Sequence, residues 1–210
     1  MTKKILILLT ILLPLGLSGC QWLAYVFSPQ QETKTVKPEF TGLENHTVAV
    51  VIFASQSVQY DYPAARLELS MLISTQLGGN IKKCTVVDPM RVNKYLDERF
   101  QWDSLPKTKI GKDLGADYVL FVTLVEYTLR EPESANLFRG RIAAEAALYQ
   151  TSLPEDRSRV WSCDDLRVTY PKENLNGVVA EDDSEVRFKS DLLLTQKLVW
   201  KFYKHEEKAE

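Results

Sequence analysis

The chain has 210 residues, 45% of them hydrophobic, 26% charged and 10% aromatic. This is the composition of a globular protein; it excludes a disordered tail, a collagen-like fibre and a multi-pass membrane protein. A net charge of −2 provides no basic face for counterion release, so nucleic acid is not an expected partner.

Lys3 and Lys4 form a short basic flank, followed by an apolar run from Ile5 to Leu17 and a small-residue stretch ending at Cys20. That order marks residues 1–19 as a secretory signal peptide. The string Leu17-Ser18-Gly19-Cys20 resembles the lipobox of bacterial lipoproteins. The resemblance implies cleavage before Cys20, a diacylglyceryl group on its thiol and acylation of the freed amine. Cys20 is therefore the lipidation site, and membrane lipid the first partner. Gln21 after the Cys is similar to the enterobacterial pattern for the outer membrane, which implies an anchored protein facing the periplasm. An uncleaved spanning helix over Ile5–Phe27, which carries no charge, is the alternative. Either reading leaves the rest of the chain in the cell envelope, attached to a membrane.

Residues 20–45 read as a tether. Trp22, Tyr25 and Phe27 suit a membrane interface, and a polar stretch with Pro29 and Pro38 follows. Residues 46–210 read as one domain. Thr47–Phe53 is a continuous β-branched and aromatic run, expected as a strand buried on both faces. Pro63 opens a helix whose inward stripe is expected at Leu67, Met71, Leu72 and Ile73, and Gly78-Gly79 closes it. Thr85-Val86-Val87 is a short strand. Asp88-Pro89 then caps a helix carrying Val92, Leu96 and Phe100, and a second short helix around Ile110 and Leu114 ends at Gly115. Tyr118–Leu129 and Phe138–Thr151 form a hairpin around Pro132 and Asn136. Val160–Tyr170 is a further strand, with a bulge at Asp164-Asp165. The final helix is expected to bury Phe188, Leu192, Val199 and Phe202. The fold class is α/β (α+β), one three-layer-like domain of order β-α-β-α-β-β-β-α. Its mixed sheet starts parallel and ends in an antiparallel hairpin.

The phrase Leu114-Gly115-Ala116-Asp117-Tyr118-Val119-Leu120 resembles a turn found in three groups of bacterial envelope proteins. They are the curli-secretion lipoproteins, the N-terminal domain of the Tol-Pal translocation protein, and the lipoprotein activators of penicillin-binding proteins. Thr47–Phe53 is similar to their first strand, and Thr85–Leu96 to their second strand and helix. The resemblance covers residues 46–130 and implies an α/β domain serving a secretion or cell-wall machine. Read physically, Gly115 ends a helix and Asp117 bonds turn amides. Val119-Leu120-Phe121-Val122 is apolar on consecutive positions, as in a buried strand and unlike the alternation of a pore strand.

Catalytic and cofactor patterns are absent from the sequence. His46 and His205 stand apart from any metal-ligand spacing, Gly111-Lys112-Asp113 lacks the upstream glycine of a phosphate loop, and no C-x-x-C or G-x-S-x-G occurs. No cofactor, metal or enzymatic activity is expected. Cys84 and Cys163 are either a disulfide or two buried thiols. The Ala54–Tyr62 loop follows the first parallel strand, so Gln56, Tyr60 and Asp61 are candidate ligand contacts, with a solvated loop as the alternative. Glu181-Asp182-Asp183 reads as an acidic helix start, and Lys201–His205 as cations at a helix end. The expected function is that of a lipid-anchored, non-enzymatic module binding an envelope protein. A self-assembling outer-membrane channel subunit and a periplasmic small-ligand binder are the alternatives.

Overall fold

A computed structural model describes residues 33–131, 134, 136–172, 177–179 and 182–208. The signal peptide, Cys20, the aromatic stretch 21–27, Pro132 and Glu181 lie outside the described residues. In chain order the elements are β1 (Thr33–Val36), β2 (Thr47–Ala54), α1 (Gln56–Asp61), α2 (Ala65–Asn80) and β3 (Thr85–Val86). Next come α3 (Pro89–Asp97), α4 (Lys107–Leu114), β4 (Tyr118–Arg130), β5 (Leu137–Gln150) and β6 (Arg159–Tyr170). Then β7 (Val178–Val179), α5 (Ser184–Val199) and β8 (His205–Lys208) complete the chain. Two compact units result. Among the described residues, 33–36 and 206–208, where β1 pairs with β8, belong to one, and Lys37–His205 form the other.

The larger unit is a mixed α/β domain. Its sheet runs β3-β2-β4-β5-β6, with β7 pairing β5. β2 pairs parallel with β3 and β4, and the β4–β5–β6 meander is antiparallel. The central run Val48–Ile52 is fully buried, which its unbroken apolar sequence requires of a strand covered on both faces. On one face α2 and α5 cover Val48, Val50, Ile52, Leu120, Val122, Ile142 and Leu166. On the other, α3 and α4 cover Ala49, Val51 and Val119. The compact unit begins at Lys37, ahead of the expected His46, because Leu43 is core and Phe40 packs edge-on against Tyr118 and Phe202.

The Gly-Ala-Asp phrase joins a helix to the sheet centre. Gly115 caps α4 at φ 72°, a left-handed conformation that suits glycine. Asp117 bonds farther away than a local turn. Its Oδ2 accepts from the Thr47 amide at 2.8 Å, while its own amide donates to the Thr47 carbonyl at 2.8 Å. Asp117 thereby sets the register of the two central parallel strands.

Helix facing agrees with expectation at Ile73, Val199 and Phe202, which are buried, and differs at Met71 and Phe188. α2 buries Ala65, Leu69, Ser70, Ile73, Ser74 and Leu77, and leaves Met71 49% exposed. α5 buries Val186, Ser190, Asp191, Leu194, Thr195, Leu198 and Val199, and leaves Phe188 53% exposed. Phe100, expected on the inward face of the helix after Asp88, lies beyond the end of α3 and is exposed. The physical reason is close approach. A Cβ on Gly140 of β5 would sit 1.8 Å from Ser190 Oγ, so only a small residue fits where α5 crosses the sheet. A small residue therefore faces inward at Ser190, beside the buried Val186, Leu194 and Leu198 of the same helix.

Candidate docking groove

The expected ligand loop is a helix. Residues 56–61 form α1, capped by Ser55, whose Oγ accepts from the Val58 amide at 3.4 Å. Gln56, Tyr60 and Asp61 are exposed and do not converge. The crevice beyond the carboxyl ends of β2 and β3 is closed by Arg66. Its guanidinium donates to Asn93 Oδ1 at 2.6 Å, Asp97 Oδ1 at 2.7 Å and Gln59 Oε1 at 3.3 Å. The space left there is about 10 Å³, room for about one water.

Cys84 and Cys163 are both free, and they occupy opposite edges of the sheet. Three strands separate the edges at a spacing of about 4.8 Å each, well beyond the reach of a disulfide. His46 Nδ1 lies 2.8 Å from the Glu44 carbonyl, and His205 stacks on Trp200 with centroids 4.4 Å apart. Asp182 Oδ1 accepts from the Ser184 amide at 2.9 Å and the Ser184 hydroxyl at 2.6 Å, turning the chain into α5. Lys201 Nζ reaches Glu39 Oε1 at 2.8 Å, and Trp161 Nε1 donates to Glu39 Oε2 at 3.0 Å, so this tail cation serves internal packing. Among the described residues no cluster of three or more His, Cys, Asp or Glu is placed to hold a metal ion, and no helix is long and apolar enough to cross a membrane.

An open depression lies between α2 and α5 on their outer side. It encloses about 350 Å³ and is lined by Glu68, Met71 and Leu72 from α2, and by Ser184, Arg187, Phe188 and Asp191 from α5. Met71 and Phe188 form its apolar walls. Arg187 Nε lies 3.4 Å from Glu68 Oε2, pairing the two helices across the groove.

Asp191 lies at the base. Its side chain is almost wholly buried, and the Tyr127 hydroxyl donates to its Oδ1 at 3.0 Å. Burial pushes the Asp191 carboxyl up to about 7, and nearby Glu68 adds to the rise; the Tyr127 bond and Arg187 oppose it. Burial and the Asp191 charge push the Tyr127 phenol up as well, keeping it a donor. None of these groove residues was identified as a site from sequence. An acid at Asp191, one turn after Arg187 and surrounded by apolar neighbours, was the available signal, but it is obscured by the outward placement of Phe188.

No protein-family model matches the chain, and no curated protein matches it. Solved structures do. The PelC dodecamer from Paraburkholderia phytofirmans is 13% identical, with 80% of this chain and 96% of that chain covered at a TM-score of 0.46. Lipoprotein GNA1162 from Neisseria meningitidis is 18% identical, with 61% and 87% covered at a TM-score of 0.41. Bacterial lipoproteins are thus among the solved structures to which this chain is similar.

Proposed function

We propose that the protein is a lipid-anchored envelope lipoprotein that acts without catalysis, by docking another protein in the α2–α5 groove. Its location follows from the sequence Leu17-Ser18-Gly19-Cys20, with Cys20 carrying the acyl chains and the outer membrane, on its periplasmic side, as the destination. The phrase Leu114–Leu120 supports placing it beside the curli-secretion, Tol-Pal and penicillin-binding-protein-activator group, so the partner belongs to a secretion or wall-building machine. The observation that carries the docking reading is the exposure of Met71 and Phe188 on either side of the groove. Two large apolar side chains flanking a depression are what a protein-binding surface requires. Two or more acyl chains would hold the module at one membrane surface and raise its effective concentration for a neighbouring partner.

The test is purification from native membranes in mild detergent, with mass spectrometry of the co-eluting proteins. A partner in fixed proportion to the wild type, lost from a Met71→Glu/Phe188→Glu variant of unchanged melting temperature, is the expected result. Identical co-elution from both would refute the groove as the docking site. In the same strains Cys20→Ser should release the protein from the membrane fraction.

A further inference from the structure

The chemistry of the groove specifies more than an apolar contact. Of its lining charges, Arg187 is directed to Glu68, which leaves the Asp191 carboxylate as the excess charge at the base. Among the described residues Asp191 receives one hydrogen bond, from Tyr127, and that bond occupies Oδ1. Oδ2 remains for a ligand. A guanidinium prefers both oxygens of a carboxylate, as a fork against a fork, and here one is already taken. A primary ammonium is a compact charge that can sit against a single oxygen while its remaining donors keep water at the open side of the groove, and its alkyl stem lies favourably along apolar walls. Met71, Leu72 and Phe188 supply such walls above Asp191.

We infer that the α2–α5 groove takes a lysine side chain of the partner protein, its ammonium on Asp191 Oδ2 and its stem between Met71 and Phe188. This inference rests on the docking reading above and adds to it the partner's anchoring residue. Arg187 acts on Asp191 only through space while paired to Glu68, and a ligand that brings an ammonium into direct contact gains selectivity over an uncharged apolar group.

The chain contains only three methionines, so methyl-labelled methionine in the full-length protein gives a spectrum simple enough to assign. Met71 lies in the groove, and Met90, on α3 across the sheet, is an internal control. The probes are N-acetyl-lysine methylamide and its norleucine and arginine counterparts. The lysine probe is expected to shift Met71 saturably, leave Met90 in place, and bind about tenfold more tightly than either counterpart. Asp191→Asn should erase that preference. Tyr127→Phe, which frees Oδ1, should improve binding of the arginine probe. Equal response to lysine and norleucine, or an unchanged preference in Asp191→Asn, would overturn the inference. A photoreactive phenylalanine at position 188, used in native membranes, separates the two layers. Cross-links to a partner together with lysine-blind binding leave the docking reading standing and remove the lysine. No cross-link to any protein removes both.

Discussion

Replacing Asp191 by Asn tests the electrostatics of the groove without changing its shape. Asn keeps an oxygen for the Tyr127 hydroxyl and removes the ionisation. The wild-type carboxyl moves from an ordinary 3.8 to about 7 in the folded protein, chiefly because it is buried. It therefore binds its proton more tightly folded than unfolded. Between those two values the native state holds more protons than the unfolded state, so stability falls as pH rises through the window and levels off above it. The displacement corresponds to about 4 kcal/mol in total. Urea unfolding followed by tryptophan fluorescence, with protein in mild non-ionic detergent, should show both proteins of similar stability near pH 4. The variant should be about 4 kcal/mol more stable at pH 8. Titrating groups distant from Asp191 are common to both chains, so they cancel in the difference. A difference that does not vary with pH, or a wild type that gains on the variant as pH rises, would refute the reading of Asp191 as a carboxyl whose charge is penalised by burial.

Three further outcomes follow from packing and capping. Gly140→Ala should cost about 3 kcal/mol, because the new Cβ meets Ser190 Oγ at 1.8 Å and Ser190 Cβ at 2.8 Å; a second change, Ser190→Gly, should recover part of the lost melting temperature. Glu155→Gln should cost about 1 kcal/mol, since Glu155 accepts from the Lys107 amide at 3.0 Å and the Thr108 amide at 3.2 Å, capping α4 from a distant loop. Burial alone would raise the Glu155 carboxyl, yet the Thr108 hydroxyl and the two amides hold it below its ordinary 4.5; its contribution is full above that pH and is lost as pH falls through the lowered value, a decline the Gln variant should lack on urea titration. Iodoacetamide should alkylate the half-buried Cys163 in the native protein and Cys84 only after unfolding, with both thiols free by intact mass; an intrachain disulfide would contradict the placement of these residues at opposite sheet edges.

Much of this architecture is legible in the residues. Thr47–Phe53 announces the central strand because a strand covered on both faces has no polar side to show. Asp88-Pro89 and Gly115 mark helix ends through local backbone chemistry, and the caps are found there. The Asp164-Asp165 bulge is also present, with Ala144 opposite Leu166 and Ala146 opposite Cys163, so two residues of β6 face the single Glu145. What the pattern conceals is the orientation of α2 and α5. Their inward faces mix Leu, Ile and Val with small polar residues, and at Ser190 the choice is made by size. Ser190 faces the sheet because Gly140 leaves room for nothing larger. Met71 and Phe188, the most conspicuous apolar residues of the two helices, are displaced outward, and Asp191 is carried inward to Tyr127. The outward placement of Met71 and Phe188, the two departures from the expected facing, forms the walls of the candidate site.

The sheet edges are poorly suited to strand addition. β3 presents two residues, too short a template for an added strand. β6 is longer, but its bulge interrupts the ladder, and Asp164, Asp165 and Arg167 stand exposed along it. An antiparallel copy centred on the bulge would set Asp164 opposite Asp165 of the second chain, a like-charge pair that opposes strand addition. The uncovered face of β5 and β6 is also polar, with Arg141, Glu145, Arg167 and Thr169 along it. Exposed apolar side chains also occur on α2 and α5, at Met71 and Phe188, where they line one groove. A charged edge resists indiscriminate pairing, whereas the proposed lysine contact would select a partner by both an apolar stem and a positive charge. The arrangement favours a particular partner over a second copy adding to the sheet.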